Sequence, residues 1–125
     1  MTRTRRLATV RPLTPEEYVK QKARMMKEAE LRELIRAVAK QYGWLMYFTW
    51  NSQHSPKGFP DLVLAHEAAG RVVVRELKRV GKKPTRDQQA WLDALTSAGF
   101  DAGVWTPEDW FSGVIVETLR VPREG

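Results

Sequence analysis

The chain has 125 residues, the size of one domain and enough to bury a core without covalent staples. It contains no cysteine, so disulfides, zinc–thiolate sites and thiol catalysis are excluded; any metal would be held by carboxylates, carbonyls or the two histidines, donors that suit Mg²⁺ or Mn²⁺. A formal net charge of +6 and a pI of about 9.9 favour a polyanionic partner, nucleic acid first, and no stretch approaches the ~18 apolar residues of a membrane span.

Residues 1–13 read as a flexible basic arm carrying Arg3, Arg5, Arg6 and Arg11. The arm has no apolar core and no small-residue cleavage site, so it is not a secretion signal, and a soluble cytoplasmic protein is the expectation. Residues 14–125 then form the single domain. Thr14-Pro15-Glu16-Glu17 starts a helix: threonine caps, proline suits the first position and Glu17 completes a capping box. Helical character continues to about Tyr42, as one helix or two, and Leu31, Leu34, Ile35, Val38 and Ala39 recur at helical spacing on a core face. Gly43 ends it.

Trp44 to Trp50 is aromatic and β-prone, and Asn51 to Gly58 is a polar loop. Leu62–Ala65 and Val72–Leu77 read as two strands joined by a turn at Glu67-Ala68-Ala69-Gly70. Gly81 to Pro84 is a basic loop. Thr85 to Ala98 is a helix with a second capping box, Thr85 with Gln88, and Gly99 stops it. Ala102–Thr106 is a fourth strand, Thr106-Pro107-Glu108-Asp109 starts a short helical turn, and Val114–Leu119 fits a strand or a helix. The order predicts an α/β fold with a mixed sheet of about four strands flanked by helices.

A hairpin turn centred between Ala68 and Ala69 sets Asp61 opposite Glu76, with about 5 Å between their Cβ atoms. Two carboxylates so placed repel, and a divalent cation between them reverses the sign of that interaction. Alternation along the second strand puts Val72, Val74, Glu76 and Lys78 on one face and Val73, Arg75 and Leu77 on the other. Asp61, Glu76 and Lys78 therefore converge at one end of the hairpin. Phosphodiester hydrolysis needs such parts: acids to hold a metal, and a cation to orient the nucleophile and offset charge on the phosphate. The bland reading is a polar strand end with a surface Glu–Lys pair. Gln88, in the first turn of the following helix, either serves the cap alone or reaches the site.

At this point the chain resembles a known family. Asn-Ser-Gln-His-Ser-Pro-Lys-Gly-Phe-Pro-Asp-Leu at 51–62, Glu-Leu-Lys at 76–78, Thr-Arg-Asp-Gln-Gln-Ala-Trp-Leu-Asp-Ala-Leu at 85–95, Ala98-Gly99 and Val104-Trp105-Thr106-Pro107 resemble the successive motifs of the virus-type replication-repair nuclease (VRR-NUC) family, over about Glu28 to Leu119. The resemblance implies a PD-(D/E)XK restriction-endonuclease-like core. It implies Asp61 and Glu76 as ligands of Mg²⁺ or Mn²⁺, Lys78 as the catalytic lysine, Gln88 as a supporting catalytic residue and the Leu77 carbonyl as a further metal ligand. An acidic ligand from the first helix is also implied. Glu28, Glu30 and Glu33 are candidates and Glu30 is the choice, although distance from Gly43 places the expected position near Arg32. The chain departs from many phage members at Ala37, where they carry glutamate, and at Gln53, often arginine in relatives.

Lys57, Arg79, Lys82, Lys83 and Arg86 surround these motifs and are expected to grip backbone phosphates. His54 reads as a solvated loop residue, a phosphate contact or a general base, and His66, beside a turn, as structural. Trp44, Trp91 and Trp105 fall on apolar patterns and are expected in the core; Trp50 and Trp110 are open to base stacking. The expected function is a Mg²⁺- or Mn²⁺-dependent DNA endonuclease in a bacterial or phage-infected cell. It would be structure-directed, cutting Holliday junctions or flaps in replication, recombination or repair, and a homodimer would place two sites on two strands. The rivals are a catalytically silent nucleic-acid-binding module, a nuclease acting on RNA and a nuclease that cuts only with a partner.

Overall fold

In a computed structural model, which describes residues 11–49 and 56–122, Thr14 begins the first helix as its sequence requires. Its hydroxyl accepts from Glu17 N and the Glu17 carboxylate accepts from Thr14 N, closing the capping box on α1 (Pro15–Met25). Arg11 makes a two-pronged pair with the same carboxylate. Met26 and Lys27 separate α1 from α2 (Glu28–Gln41), so the long helical stretch is two helices. On α2, Leu31, Ile35 and Ala39 are fully buried while Leu34 and Val38 are half-buried, the apolar stripe read from their spacing. Gly43 takes φ +84, where a side chain would be strained, and turns the chain into the sheet.

The sheet holds β1 (Leu45–Phe48), β2 (Leu62–His66), β3 (Arg71–Leu77) and β4 (Asp101–Trp105), in that spatial order. The first three are antiparallel and β4 runs parallel to β3. Parallel neighbours need a crossover, here α3 (Arg86–Ser97), which lies against β4. Two short helices, α4 (Pro107–Phe111) and α5 (Val114–Leu119), close the described chain, which settles 114–119 as helix. This is the mixed four-stranded α/β sheet flanked by helices that the element order predicts.

One face of the sheet builds the main core. Leu62, Leu64, Val73, Leu77 and Trp105 pack with Leu31, Ile35 and Ala39 of α2 and Ile115 and Leu119 of α5. Trp44 joins them and donates its indole N–H to Leu119 O at 2.8 Å, so the buried ring keeps no unpaired donor. On the opposite face, Val74 of β3 and Leu92 of α3 are buried. The β1 side of that face is open: Leu45 is 77% exposed and Tyr47 63%, across from Ala65 and Val63.

Trp91 is a correction to the expected core set. It is 38% exposed and meets the Phe59 ring edge-on at 5.1 Å, because it lies on the outer side of a helix that buries only Leu92. His66 is structural, as expected. Ala69 N–H donates to its Nδ1 at 3.0 Å, so the ring carries its proton on Nε2 and donates to Tyr42 O at 2.8 Å.

Candidate active site

Pairing of Leu62 with Arg75 and of His66 with Arg71 sets the hairpin register, and its continuation by one residue places Asp61 opposite Glu76. The turn occupies residues 67–70, with Gly70 at φ +63. Asp61 is anchored twice. Its carbonyl accepts from Thr49 N at 3.0 Å, tying it to the end of β1, and its Oδ2 accepts from Leu77 N at 2.8 Å, tying it to the end of β3. The Leu77 side chain faces the core, so strand alternation turns Glu76 and Lys78 the other way. Lys78 Nζ stands 3.5 Å from Glu76 Oε2, and its side chain is 14% exposed.

Glu76 is the unusual member. It is 2% exposed, and Oε1 is buried without a hydrogen-bond partner among the described residues. Burial, then the charge of Asp61 and a carboxyl–carboxyl contact with it, push the Glu76 carboxyl up to about 8, against the opposing pull of Lys78. An acid that is buried, short of a donor and faced by a second acid is satisfied either by retaining a proton or by receiving a cation. The all-oxygen donor set fits Mg²⁺ or Mn²⁺.

Among the described residues no third acidic or histidine side chain joins the pair in a cluster able to hold a metal. Glu28 and Glu30 are exposed on the first turn of α2, and Glu33 pairs with Arg32 and Arg36. The structure thus does not bring Glu30 to Asp61 and Glu76: the core-facing stripe of α2 runs through Leu31 and Ile35, which turns Glu30 outward.

Gln88 is occupied at the helix end. Its Oε1 accepts from Thr85 N at 2.8 Å and its own N–H donates to Thr85 Oγ1 at 3.3 Å, so its carbonyl serves the cap. The first turn of α3 is nonetheless beside the segment entering Asp61. Gly58 has φ +95, and a Cβ there would lie 2.5 Å from the Asp87 carbonyl carbon, so only glycine allows this approach.

Lys57, Lys82, Lys83 and Arg86 are exposed around the same end of the sheet. Arg79 is also exposed, but one guanidinium nitrogen is spent on Arg24 O at 3.2 Å, near the C-terminus of α1. Trp50, Gln53, His54 and residues 1–10 lie outside the described residues. Two arrangements escaped the sequence reading. Arg75 is buried on the core side, stacked 4.7 Å from the Trp105 ring centre and paired with Asp101 at 2.8 Å. Arg32 and Arg36 both lie over Phe48. Arginines four apart on one helix face are visible in the sequence; the ring they share is not, because it comes from another element.

The family model for the VRR-NUC domain matches residues 5–108, most of the chain. Comparison with curated proteins and with solved structures returns no match.

Proposed function

Because the chain belongs to the VRR-NUC family, a family of nucleases, we propose that it is a DNA endonuclease that hydrolyses phosphodiester bonds at Asp61, Glu76 and Lys78 with Mg²⁺ or Mn²⁺. The observation that carries this reading is the buried Glu76 carboxyl, with one oxygen lacking a donor among the described residues, set against Asp61 and beside the Lys78 ammonium. Asp61 and Glu76 would hold the divalent cation, with the Leu77 carbonyl as a further ligand. The bound metal would polarise the phosphoryl group and lower the pKa of water.

The chain's own groups do the rest. The Leu77 amide fixes the orientation of Asp61, so little reorganisation is left for the moment of reaction. Lys78, little exposed, directs its charge at the oxygens that become more negative as the phosphate is attacked. Lys57, Lys82, Lys83 and Arg86 hold flanking phosphates, and with one nitrogen committed to α1 Arg79 holds them less. Gln88 serves the site through the helix end beside it. Basic groups that hold the backbone suit recognition of DNA by shape, and junctions or flaps are the substrates of this reading.

A homodimer belongs to the same reading. Among the described residues β1 is an edge strand, and it carries Leu45 and Tyr47 outward. A two-fold axis beside it would match this apolar face with itself, as closed symmetry requires.

The test is cleavage of labelled junction, flap, single-stranded and duplex DNA, with RNA alongside, in Mg²⁺ or Mn²⁺. The native chain cleaves branched DNA, while Asp61→Ala and Lys78→Ala bind without cutting. Binding by the native chain with no cleavage in either metal favours the catalytically silent module and overturns the proposal. Cleavage of RNA alone overturns the substrate.

A further inference from the structure

The described chain holds a second cationic group that the three-residue site does not use. Arg32 and Arg36, one turn apart on α2, direct their guanidinium groups at the Phe48 ring, at 4.6 and 4.9 Å from its centre. Phe48 is the last residue of β1 and pairs with Leu62, and the next amide, Thr49 N, donates to Asp61 O. The two arginines therefore stand at the same end of the sheet as Asp61, on the face where Phe48 and Leu62 meet α2, whereas Glu76 and Lys78 project from the opposite face.

Their charge is incompletely balanced. Two guanidinium groups on one ring repel, and among the described residues a single carboxylate, Glu33, meets them, at 3.6 Å from Arg32 and 3.3 Å from Arg36. Arg32 Nε is buried with no hydrogen-bond acceptor among the described residues, so the contact with the Phe48 ring helps to hold this side chain in place. Both side chains stay partly open, 29% and 43% exposed. A planar guanidinium held over a ring and partly open to solvent is pre-organised to receive phosphate oxygens.

We infer that Arg32 and Arg36, held on Phe48, form a phosphate grip for the DNA backbone on the β1 flank of the Asp61–Glu76 pair. The strand of DNA would then cross the end of the sheet, held on the α2 face by the two arginines at the end of β1 and, two strand spacings or about 10 Å along the sheet, by Lys82, Lys83 and Arg86 after the end of β3. This inference rests on the nuclease reading for the identity of the polyanion, and its test reads binding rather than cleavage.

The experiment measures affinity for a short fluorescein-labelled DNA duplex without divalent metal, as a function of salt. Each phosphate contact contributes about 0.9 to the slope of log K against log salt, so Arg32→Gln with Arg36→Gln is expected to lower that slope by nearly twice as much. Arg32→Lys with Arg36→Lys keeps the charges and is expected to preserve most of the slope. Arg120→Gln, which removes an exposed arginine paired with Glu117, leaves it unchanged. Circular dichroism checks that each variant folds. A native slope in the Gln double variant overturns the inference, whether or not its melting temperature falls, and so does a slope lost on RNA but kept on DNA. Failure of the native protein to cleave in Mg²⁺ or Mn²⁺ removes the nuclease reading and leaves this slope comparison standing.

Discussion

Asp61 accepts the backbone amide of Leu77 through Oδ2 at 2.8 Å, which locks the end of β3 to the residue entering β2. The bond fixes one carboxylate oxygen, and the same carboxylate meets Glu76. Removing the acceptor and removing the charge are therefore separable. Asp61→Asn keeps an oxygen for Leu77 and loses the charge, so stability is retained while cleavage falls by about 100-fold or more, the size of losing one pre-organised electrostatic contact. Asp61→Ala also strands the Leu77 N–H and should be less stable than Asp61→Asn by about 1–3 kcal/mol. Denaturant melts and single-turnover cleavage on both variants check this. Equal stabilities would show that the bond contributes nothing.

Glu76 makes the stability of the metal-free protein depend on pH. Its carboxyl is pushed up to about 8 in the folded state from an ordinary value of 4.5, first by burial and then by Asp61. The folded chain therefore binds this proton more tightly than the unfolded chain. Its stabilising effect is complete below about 4.5 and is lost as pH rises through about 8. In EDTA the melting temperature should fall across that window, Glu76→Gln should flatten the fall, and Mg²⁺ should restore most stability at the alkaline end. Differential scanning fluorimetry across pH, with and without Mg²⁺, reads all three.

Gln88 occupies its side-chain oxygen with the Thr85 amide. Gln88→Ala should cost about 1 kcal/mol, as loss of a helix cap does. Gln88→Glu, which retains an acceptor for the capping box, should recover it. Cleavage at saturating DNA should follow the helix and change by less than about tenfold in either variant, since no contact places Gln88 on the carboxylate pair. A hundredfold loss in a Gln88→Glu protein of native stability would assign Gln88 to the chemistry.

The open face of β1 predicts its own effect. Leu45→Lys with Tyr47→Lys places charge on an exposed edge strand and should leave the fold intact, because neither side chain enters the core. In sedimentation equilibrium the native chain should run as a dimer and this variant as a monomer. A native chain that is monomeric at all concentrations removes the dimer from the proposal.

Sequence and structure agree most closely where interactions are local. The Thr14–Glu17 and Thr85–Gln88 boxes, the Gly43 stop and the turn at 67–70 join residues a few positions apart, so residue types alone specify them. The opposition of Asp61 and Glu76 is legible for the same reason: a four-residue turn sets the register of two adjacent strands, and alternation then assigns each face. The 114–119 segment was not legible. Its apolar residues suit either period, and packing against α2 and α4 selects helix.

Sequence alone determined which acids and which lysine meet at the end of the hairpin, because strand pairing within a short loop leaves them few alternatives. Tertiary packing decided what those groups experience. It buried Glu76 and raised its proton affinity, turned Glu30 to solvent, moved Trp91 out of the core and set two arginines of α2 on a ring of β1. Burial and contacts between distant elements depend on how whole faces dock, and no local pattern encodes them.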